Sequence, residues 1–157
     1  IAASPAWSPD GRFLAWKVFT DESDKDTWSA VVVLDLAAGG IELLHKYRVL
    51  GGTNVMPGLS WSPDGRWIAL LTQGEFPLET PSLWLLSVDG NEEYYLGSGV
   101  SPVWSPDGRW LAYSIWPAGG GHYEELKVFV MDTQRFVPQL AGLPDGAVVV
   151  DWVNWQP

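Results

Sequence analysis

Short apolar runs separated by turn-forming residues recur along the whole chain. The runs are, in chain order, Phe13–Trp16, Ala30–Leu36, Ile41–Lys46, Trp67–Leu70, Leu83–Val88, Glu92–Leu96, Trp110–Tyr113, Lys127–Thr133 and Phe136–Leu140. They have the lengths of strands, and none approaches the roughly 20 apolar residues that a membrane-spanning helix needs. Gly, Pro, Asn and Asp are frequent between them, as they are between antiparallel strands. The pattern predicts an all-β protein with no membrane insertion.

A six-residue motif, WSPDGR, reveals an internal repeat. It occurs at Trp7–Arg12, Trp61–Arg66 and Trp104–Arg109, and a shortened copy follows at Trp155-Gln156-Pro157. The four Trp residues are 54, 43 and 51 residues apart. Because each Trp is expected to end one further strand, each repeat holds four strands. A four-stranded antiparallel sheet in that length of sequence is one blade of a β-propeller.

The backbone preferences of the motif residues explain why they form a turn. Ser-Pro-Asp-Gly forms a tight turn, in which Pro sets φ near −65°, Asp caps the turn and Gly takes a positive φ. We expect this hairpin to join the first two strands of a blade, with the Trp packed flat between blades. The Arg should lie along the hairpin or pair with nearby acids. The expected structural residues are Trp7, Asp10, Gly11, Trp61, Asp64, Gly65, Trp104, Asp107, Gly108 and Trp155.

The motif, the Leu/Ile-Ala strand after it and the later Val128–Asp132 segment resemble the TolB-type propeller repeat. That repeat occurs in periplasmic TolB, in propeller domains of prolyl-oligopeptidase-like enzymes and in many bacterial proteins. The resemblance covers nearly the whole chain and implies the propeller fold and, more weakly, an extracytoplasmic location. It does not specify an activity. The copy at Trp155-Gln156-Pro157 departs from the pattern because it lacks Asp-Gly.

The repeat divides the chain into blades of about 1–49, 50–97 and 98–143, with the start of a fourth at 144–157. Propellers close with four to eight blades. Three four-stranded blades plus one extra strand are therefore expected to be half or a fragment of a larger ring, and the Ile1 start agrees with a processed or partial chain. Open blade faces drive association. Two alternatives remain, a six-bladed homodimer and the remainder of a longer propeller.

Charge and composition narrow the choice of partners. Lys and Arg number nine against 19 Asp and Glu, for a net charge of −10. Such a surface repels phosphate backbones, so nucleic acid is not expected as a partner. The expected partner is a protein or a peptide. The absence of Cys excludes disulfides, Cys-ligated zinc and thiol catalysis.

A ligand is expected on the face opposite the Ser-Pro-Asp-Gly hairpins. There, the loops between the second and third strands of the blades differ from one another, and function concentrates on variable loops held by a rigid frame. Aromatic side chains in these loops could form a binding rim. The candidate binding residues are Asp21, Asp24, Asp26, Phe76, Trp116, His122 and Tyr123.

These candidates have simpler explanations too. Asp21, Asp24 and Asp26 provide oxygen ligands, but they lack the spacing of a calcium loop, which favours a solvated loop. His122 is one of two His residues, and the chain has no third nitrogen ligand to make a metal site. His45, on an outer strand, is expected to face solvent. Neither a metal nor a cofactor is expected.

No catalytic residue is predicted. The chain has no Gly-x-Ser-x-Gly nucleophile elbow, and it has two His residues. The sequence therefore favours a non-catalytic scaffold for protein or peptide binding or for assembly. The alternative is the accessory, substrate-gating propeller of a prolyl-oligopeptidase-like peptidase whose catalytic domain lies outside this chain.

Overall fold

A computed structural model describes residues 2–19, 28–48, 58–72, 81–117, 122, 125–147, 149 and 151. The described part of the chain folds into antiparallel strands, and none of it forms a helix long and apolar enough to cross a membrane. The strands are β1 (Ala2–Trp7), β2 (Phe13–Phe19), β3 (Trp28–Asp35), β4 (Gly40–Arg48), β5 (Leu59–Trp61), β6 (Trp67–Thr72), β7 (Ser82–Ser87), β8 (Glu93–Trp104), β9 (Trp110–Ile115), β10 (Lys127–Asp132) and β11 (Val137–Leu140).

The strands form three four-stranded antiparallel units, as the repeat predicts. Blade 1 is a sheet with the order β1-β2-β3-β4. Blades 2 and 3 belong to one seven-stranded sheet with the order β11-β10-β9-β8-β7-β6-β5. Blade 2 is β5, β6, β7 and the first half of β8, and blade 3 is the second half of β8 with β9, β10 and β11. The predicted all-β fold is confirmed.

Blades 2 and 3 are connected by a continuous strand. Gly97-Ser98-Gly99 has the composition of a turn, yet these residues lie within β8. β8 pairs with β7 as far as Ser98 and with β9 from Gly99 onward. A Cβ at Gly99 would lie 2.5 Å from the Ser114 carbonyl oxygen, so only glycine allows the two backbones to come this close. The absence of a side chain at Gly99 lets one strand serve two blades.

Each Ser-Pro-Asp-Gly hairpin is held by the same hydrogen bonds. The Ser hydroxyl donates to the Asp carboxylate at 2.5–2.6 Å and accepts the backbone N–H five residues later at 2.8–2.9 Å. The glycines have φ values of 70–72°. The Ser hydrogen bond is the main cause that holds the pKa of Asp10 and Asp107 below the usual range. These carboxylates are turn caps, already occupied by the hairpin's own donors.

The hydrophobic core lies between the blades. One cluster fills the space between blades 1 and 2, and a second fills the space between blades 2 and 3. Residues at alternate positions of a strand face opposite neighbours. The first cluster is therefore built from one face of each blade: Ala15, Val31, Val33, Trp61, Ile68, Leu70 and Leu86.

His45 is an exception to the sequence prediction. It was expected to face solvent on an outer strand, but it is only 8% exposed. Its Nδ1 lies 2.8 Å from Glu93 Oε2, and its ring lies 4.9 Å from that of Trp84. A β-bulge in β4, between the register pairs Val31–His45 and Val32–Leu43, accompanies the placement of His45 against blade 2. The prediction failed because strict alternation does not anticipate a bulge.

Candidate functional site

The repeated Trp residues connect neighbouring blades through their indole N–H groups. Trp61 Nε1 donates to the Ala6 carbonyl at 2.9 Å, and Trp104 Nε1 donates to the Ser60 carbonyl at 3.3 Å. Ala6 and Ser60 each directly precede the Trp of their own blade. The same donor and the same acceptor position therefore recur at both junctions. Trp61 and Trp104 are each 8% exposed.

Trp7 has the same place in blade 1 but is 58% exposed. Leu14, Trp16 and Leu34 beside it occupy the positions of blade 2 and blade 3 residues that are buried against a preceding blade. Leu14 and Leu34 are half-buried, whereas their counterparts Ile68 and Leu86 are 0% and 1% exposed. We call this surface the Trp7 face; it comprises Trp7, which is exposed, the half-buried Leu14, Trp16 and Leu34, and Val32, which is buried.

The hairpin glycines also distinguish blade 1 from blades 2 and 3, because only those of blades 2 and 3 lie close to a preceding blade. A Cβ at Gly108 would lie 3.0 Å from the Asp64 backbone nitrogen, and one at Gly65 would lie 4.0 Å from Pro9 Cδ. Each of these glycines thus approaches the hairpin of the preceding blade. A Cβ at Gly11 would meet nothing within 4 Å. The Trp7 face is therefore an inter-blade surface with no blade against it in the described structure.

The opposite end of the described structure carries the matching kind of surface. We call it the Val130 face; it comprises the half-buried Val103, Trp110 and Val130 and the buried Ala112 and Val128. Val130 is half-buried, whereas its counterparts Val33 and Leu85 are 4% and 0% exposed. The segment after blade 3 covers part of this end, because the Ser114 hydroxyl contacts the Ala147 carbonyl at 3.5 Å and accepts the Val149 N–H at 3.3 Å.

Two predicted binding residues lie together at the end of β9. The Trp116 indole donates to the His122 carbonyl at 3.2 Å, and the Trp116 backbone N–H donates to the Ser98 carbonyl at 2.9 Å. Trp116 is 5% exposed and His122 is exposed. Trp116 therefore contacts the main chain of His122, and His122 is the member of the pair whose side chain is exposed to solvent.

The other candidates lie outside the residues that the structure describes. They are Asp21, Asp24, Asp26, Phe76, Tyr123 and, among the repeat residues, Trp155. Within the part of the chain that the structure describes, no three His, Asp or Glu side chains come together as metal ligands would.

Ion pairs close two of the three hairpins on their solvent side. Arg12 Nη2 lies 2.6 Å from Asp35 Oδ2, and Arg109 Nη2 lies 3.2 Å from Asp132 Oδ2. The hydrogen bond from Arg12 lowers the pKa of Asp35 to about 2. In blade 2, Ser87 replaces the aspartate, and Arg66 binds Asp64 of its own hairpin at 2.7 Å instead. The arginines pair with nearby acids, as the sequence predicts.

Lys17 was not singled out in the sequence. It lies on β2, is 4% exposed, and its Nζ donates to the Leu71 carbonyl of blade 2 at 2.5 Å. Burial lowers its pKa to about 8. The signal was present in the repeat, because Lys17 stands where blades 2 and 3 have Leu71 and Ser114. A charged residue is unusual at a strand position that is buried between two blades.

Comparison with solved structures agrees with this geometry. The chain is similar to a TolB candidate from Agrobacterium tumefaciens, with 22% identity, a TM-score of 0.51 and 89% of this chain covered. It is similar to the β-propeller domain of the Trilobed protease from Pyrococcus furiosus, with 15% identity, a TM-score of 0.60 and 88% covered. The fold is that of a partial β-propeller. The acylaminoacyl peptidase from Pyrococcus horikoshii also matches this propeller segment, with 15% identity, a TM-score of 0.54 and 90% covered.

The propeller segment spans less than half of each of these structures. It covers 45% of the Agrobacterium chain, 40% of the Trilobed protease domain and 25% of the acylaminoacyl peptidase. At these identities the likeness establishes the fold alone. No protein-family model matches the propeller segment, and no curated protein matches its sequence.

Proposed function

We propose that this chain is a non-catalytic propeller scaffold of the TolB type that assembles through its open blade faces and binds a protein or peptide on its loop face. The exposure of Trp7 carries the proposal. Trp7 is 58% exposed, whereas Trp61 and Trp104 are 8% exposed. An apolar surface built to the pattern of two packed interfaces is an association site.

The assembly part of the proposal is tested by sedimentation velocity over a wide range of protein concentration. The wild-type chain is expected to associate as its concentration rises, and Trp7→Ala is expected to remain monomeric. Leu36→Ala is the matched control, because Leu36 is 48% exposed in the turn after β3 and lies outside the Trp7 face. A wild-type chain that is monomeric at every concentration contradicts the assembly proposal.

The binding part rests on the variable loops and on charge. The Trp116 indole donates to the His122 carbonyl, and the His122 side chain is exposed. The net charge of −10 favours basic partners by long-range attraction. Fluorescence anisotropy with basic, neutral and acidic peptide pools tests this. We expect binding of basic peptides that weakens with salt and with His122→Ala; equal binding of all three pools contradicts it.

A second candidate function is the gating propeller of a peptidase. It is favoured because the similar structures include the Trilobed protease domain and the acylaminoacyl peptidase. Under this proposal a hydrolase domain adjoins the propeller in the complete gene product. Deleting residues 1–157 from that product is then expected to admit longer peptides to the catalytic site, measured as the ratio of cleavage rates for long and short substrates.

A further inference from the structure

We infer that the outer edge of the junction between blades 1 and 2 binds an arginine side chain of a partner protein. We call this surface the rim groove; it comprises Glu42, His45, Tyr47, Trp84, Glu93 and Tyr95. The inference goes beyond the proposed function, because the groove lies between the outer strands of two blades and is separate from the loop that carries His122. Both blades that form it belong to the described structure, so the site needs no additional blade.

The strand register places two carboxylates in the groove. Val33 of blade 1 and Leu86 of blade 2 both pack in the apolar cluster at this junction. Glu42 is the cross-strand partner of Val33, and Glu93 is that of Leu86. Because direct cross-strand partners project from the same face of a sheet, both carboxylates face the space between blades 1 and 2. Both residues are exposed, so this end of the junction is negatively charged and accessible.

Aromatic rings line the groove beside the carboxylates. The centroid of the Trp84 ring lies 4.9 Å from that of His45 and 4.9 Å from that of Tyr95. The His45 ring in turn lies 5.7 Å from that of Tyr47. The four rings form a continuous row from the outer strand of blade 1 to the outer strand of blade 2. Tyr95 is 54% exposed, and Trp84 and Tyr47 are half-buried, so part of the ring surface is accessible to a ligand.

His45 holds one of the two carboxylates in position. Its Nδ1 contacts Oε2 of Glu93, and its other ring nitrogen, Nε2, is buried without a hydrogen-bond partner among the described residues. Burial of an unpaired polar atom lowers the stability of the fold. The histidine contributes instead a fixed position for a carboxylate that is 56% exposed and has a second oxygen to accept hydrogen bonds from a ligand.

The junction of blades 2 and 3 shows that blade packing does not require these charged groups. There, the register places Tyr94 at the position of Glu42, and Pro138 at the position of Glu93. Tyr94 stacks on Phe136 of blade 3, with 4.2 Å between the ring centroids, and closes the rim of that junction. The first junction has two exposed carboxylates at the same positions, an arrangement that favours binding over packing.

The chemistry of the rim groove selects a guanidinium group. Carboxylates beside aromatic faces attract a cation, and Lys46 of β4 pairs with Ala30 and so faces away from the groove. Ring centroids 4.9 Å apart leave no cage that could enclose a spherical ammonium group. A planar guanidinium can lie flat on an exposed ring and donate two hydrogen bonds to a carboxylate. The groove is open on its outer side and takes only the end of a side chain, so we expect the arginine to be carried by a basic partner protein, which the net charge of −10 attracts.

An NMR titration of the isotope-labelled chain tests the site through the indole N–H resonance of Trp84. Loss of one indole resonance in Trp84→Phe assigns that signal, and this variant is expected to fold because blade 3 has Phe129 at the same position. The probes are three short peptides that differ at one residue, which is arginine, lysine or the neutral citrulline. We expect a saturable shift with the arginine peptide, a weaker response to lysine and none to citrulline. Equal responses to arginine and citrulline, or a stronger response to lysine, overturn the inference.

Two glutamine substitutions separate a local site from the overall charge. Glu93→Gln is expected to weaken binding of the arginine peptide about tenfold, because it removes the charge while the amide carbonyl can still accept the hydrogen bond from His45. Glu92→Gln is the matched control, since it changes the net charge equally at the exposed residue directly before Glu93 and outside the rim groove. Its effect is expected to stay below about twofold. Equal losses in the two variants show that binding follows overall charge, and the inference fails.

Comparison with His122→Ala distinguishes the rim groove from the proposed loop-face site. We expect His122→Ala to leave the Trp84 response to the arginine peptide unchanged, because His122 follows β9 of blade 3. If His122→Ala abolishes arginine binding and Glu93→Gln does not, the cation binds the loop face, so the inference is overturned while the proposed function stands. If basic peptides bind His122→Ala as tightly as the wild type and bind Glu93→Gln more weakly, the rim groove is their site. The loop-face part of the proposed function then fails, and the inference stands.

Discussion

The Trp61 indole N–H donates to the Ala6 carbonyl across the junction of blades 1 and 2, at 2.9 Å. This bond satisfies the single polar group of a large ring that is otherwise buried in the apolar cluster. The same bond recurs one blade later, from Trp104 to Ser60. The repeat therefore specifies the position of each blade relative to its neighbour as well as the shape of the blade.

Removal of the buried Trp is expected to destabilise the chain far more than removal of the exposed one. Trp61→Ala leaves a cavity between blades and should lower the free energy of unfolding by about 3–5 kcal/mol. Trp7→Ala, at a position 58% exposed, should lower it by less than about 1 kcal/mol in the monomer. Urea denaturation at a concentration at which the wild-type chain is monomeric measures both, and equal losses would contradict the assignment of Trp7 to an open face.

The buried serines of the hairpins are expected to stabilise the turns. Ser62 is 0% exposed, and its hydroxyl accepts the Trp67 N–H at 2.9 Å. Ser62→Ala leaves that N–H without its partner and should cost about 1–3 kcal/mol. Asn91→Ala, in an exposed turn, is the control and should stay within about 0.5 kcal/mol of the wild type. Thermal unfolding followed by near-UV circular dichroism distinguishes the two.

Two hairpin glycines have the same backbone conformation, but they differ in their contact with a neighbouring blade. Alanine substitutions at the two positions therefore distinguish the cost of backbone strain from the cost of crowding that contact. Gly11 and Gly108 have φ values of 70° and 71°, so alanine at either position costs roughly 1–2 kcal/mol. At Gly108 a Cβ would also lie 3.0 Å from the Asp64 backbone nitrogen, whereas at Gly11 it would meet nothing within 4 Å. In the monomer, Gly108→Ala should therefore be the more destabilising substitution, as the midpoint of urea denaturation will show. A larger loss from Gly11→Ala would argue against the close approach of the two hairpins.

Lys17 is expected to give the stability a specific dependence on pH. Its pKa is about 8 in the folded chain, against 10.5 for an exposed lysine. Between these pH values the unfolded chain holds a proton that the folded chain has released, so this residue's contribution to stability rises with pH. Below pH 8 the lysine is protonated in both states, so the free-energy cost of burying its charge does not change with pH.

Lys17→Met removes this dependence. The stability of the wild type relative to Lys17→Met should therefore increase by up to about 3 kcal/mol from pH 8 to 10.5. Comparison with the variant cancels the tyrosines, whose ionisation acts in the opposite direction. Lys46→Met, on an exposed part of β4, is the control and should follow the wild type. An unchanged difference across this pH range would show that Lys17 is not buried against blade 2.

The sequence determined the strands, the hairpins and the blades, because these depend on local chemistry and on spacing. Ser-Pro-Asp-Gly encodes a turn by the φ preferences of Pro and Gly, and continuous apolar runs such as Trp67–Leu71 encode a sheet covered on both faces. The sequence also predicted that the hairpin arginines could pair with nearby acids, but it did not identify Asp35 and Asp132 as those acids.

The tertiary structure alone decided how the blades meet. The acceptors for the Trp indoles are main-chain carbonyls of Ala6 and Ser60, which no side-chain pattern identifies. His45 turned inward through a bulge, β8 continued through Gly97 and Gly99 into the next blade, and Lys17 found its carbonyl on blade 2. Each of these depends on contact between residues far apart in sequence. A local sequence pattern specifies which side chains share one surface of a blade. Only the packed fold specifies which of these surfaces, such as the Trp7 face, has no neighbouring blade.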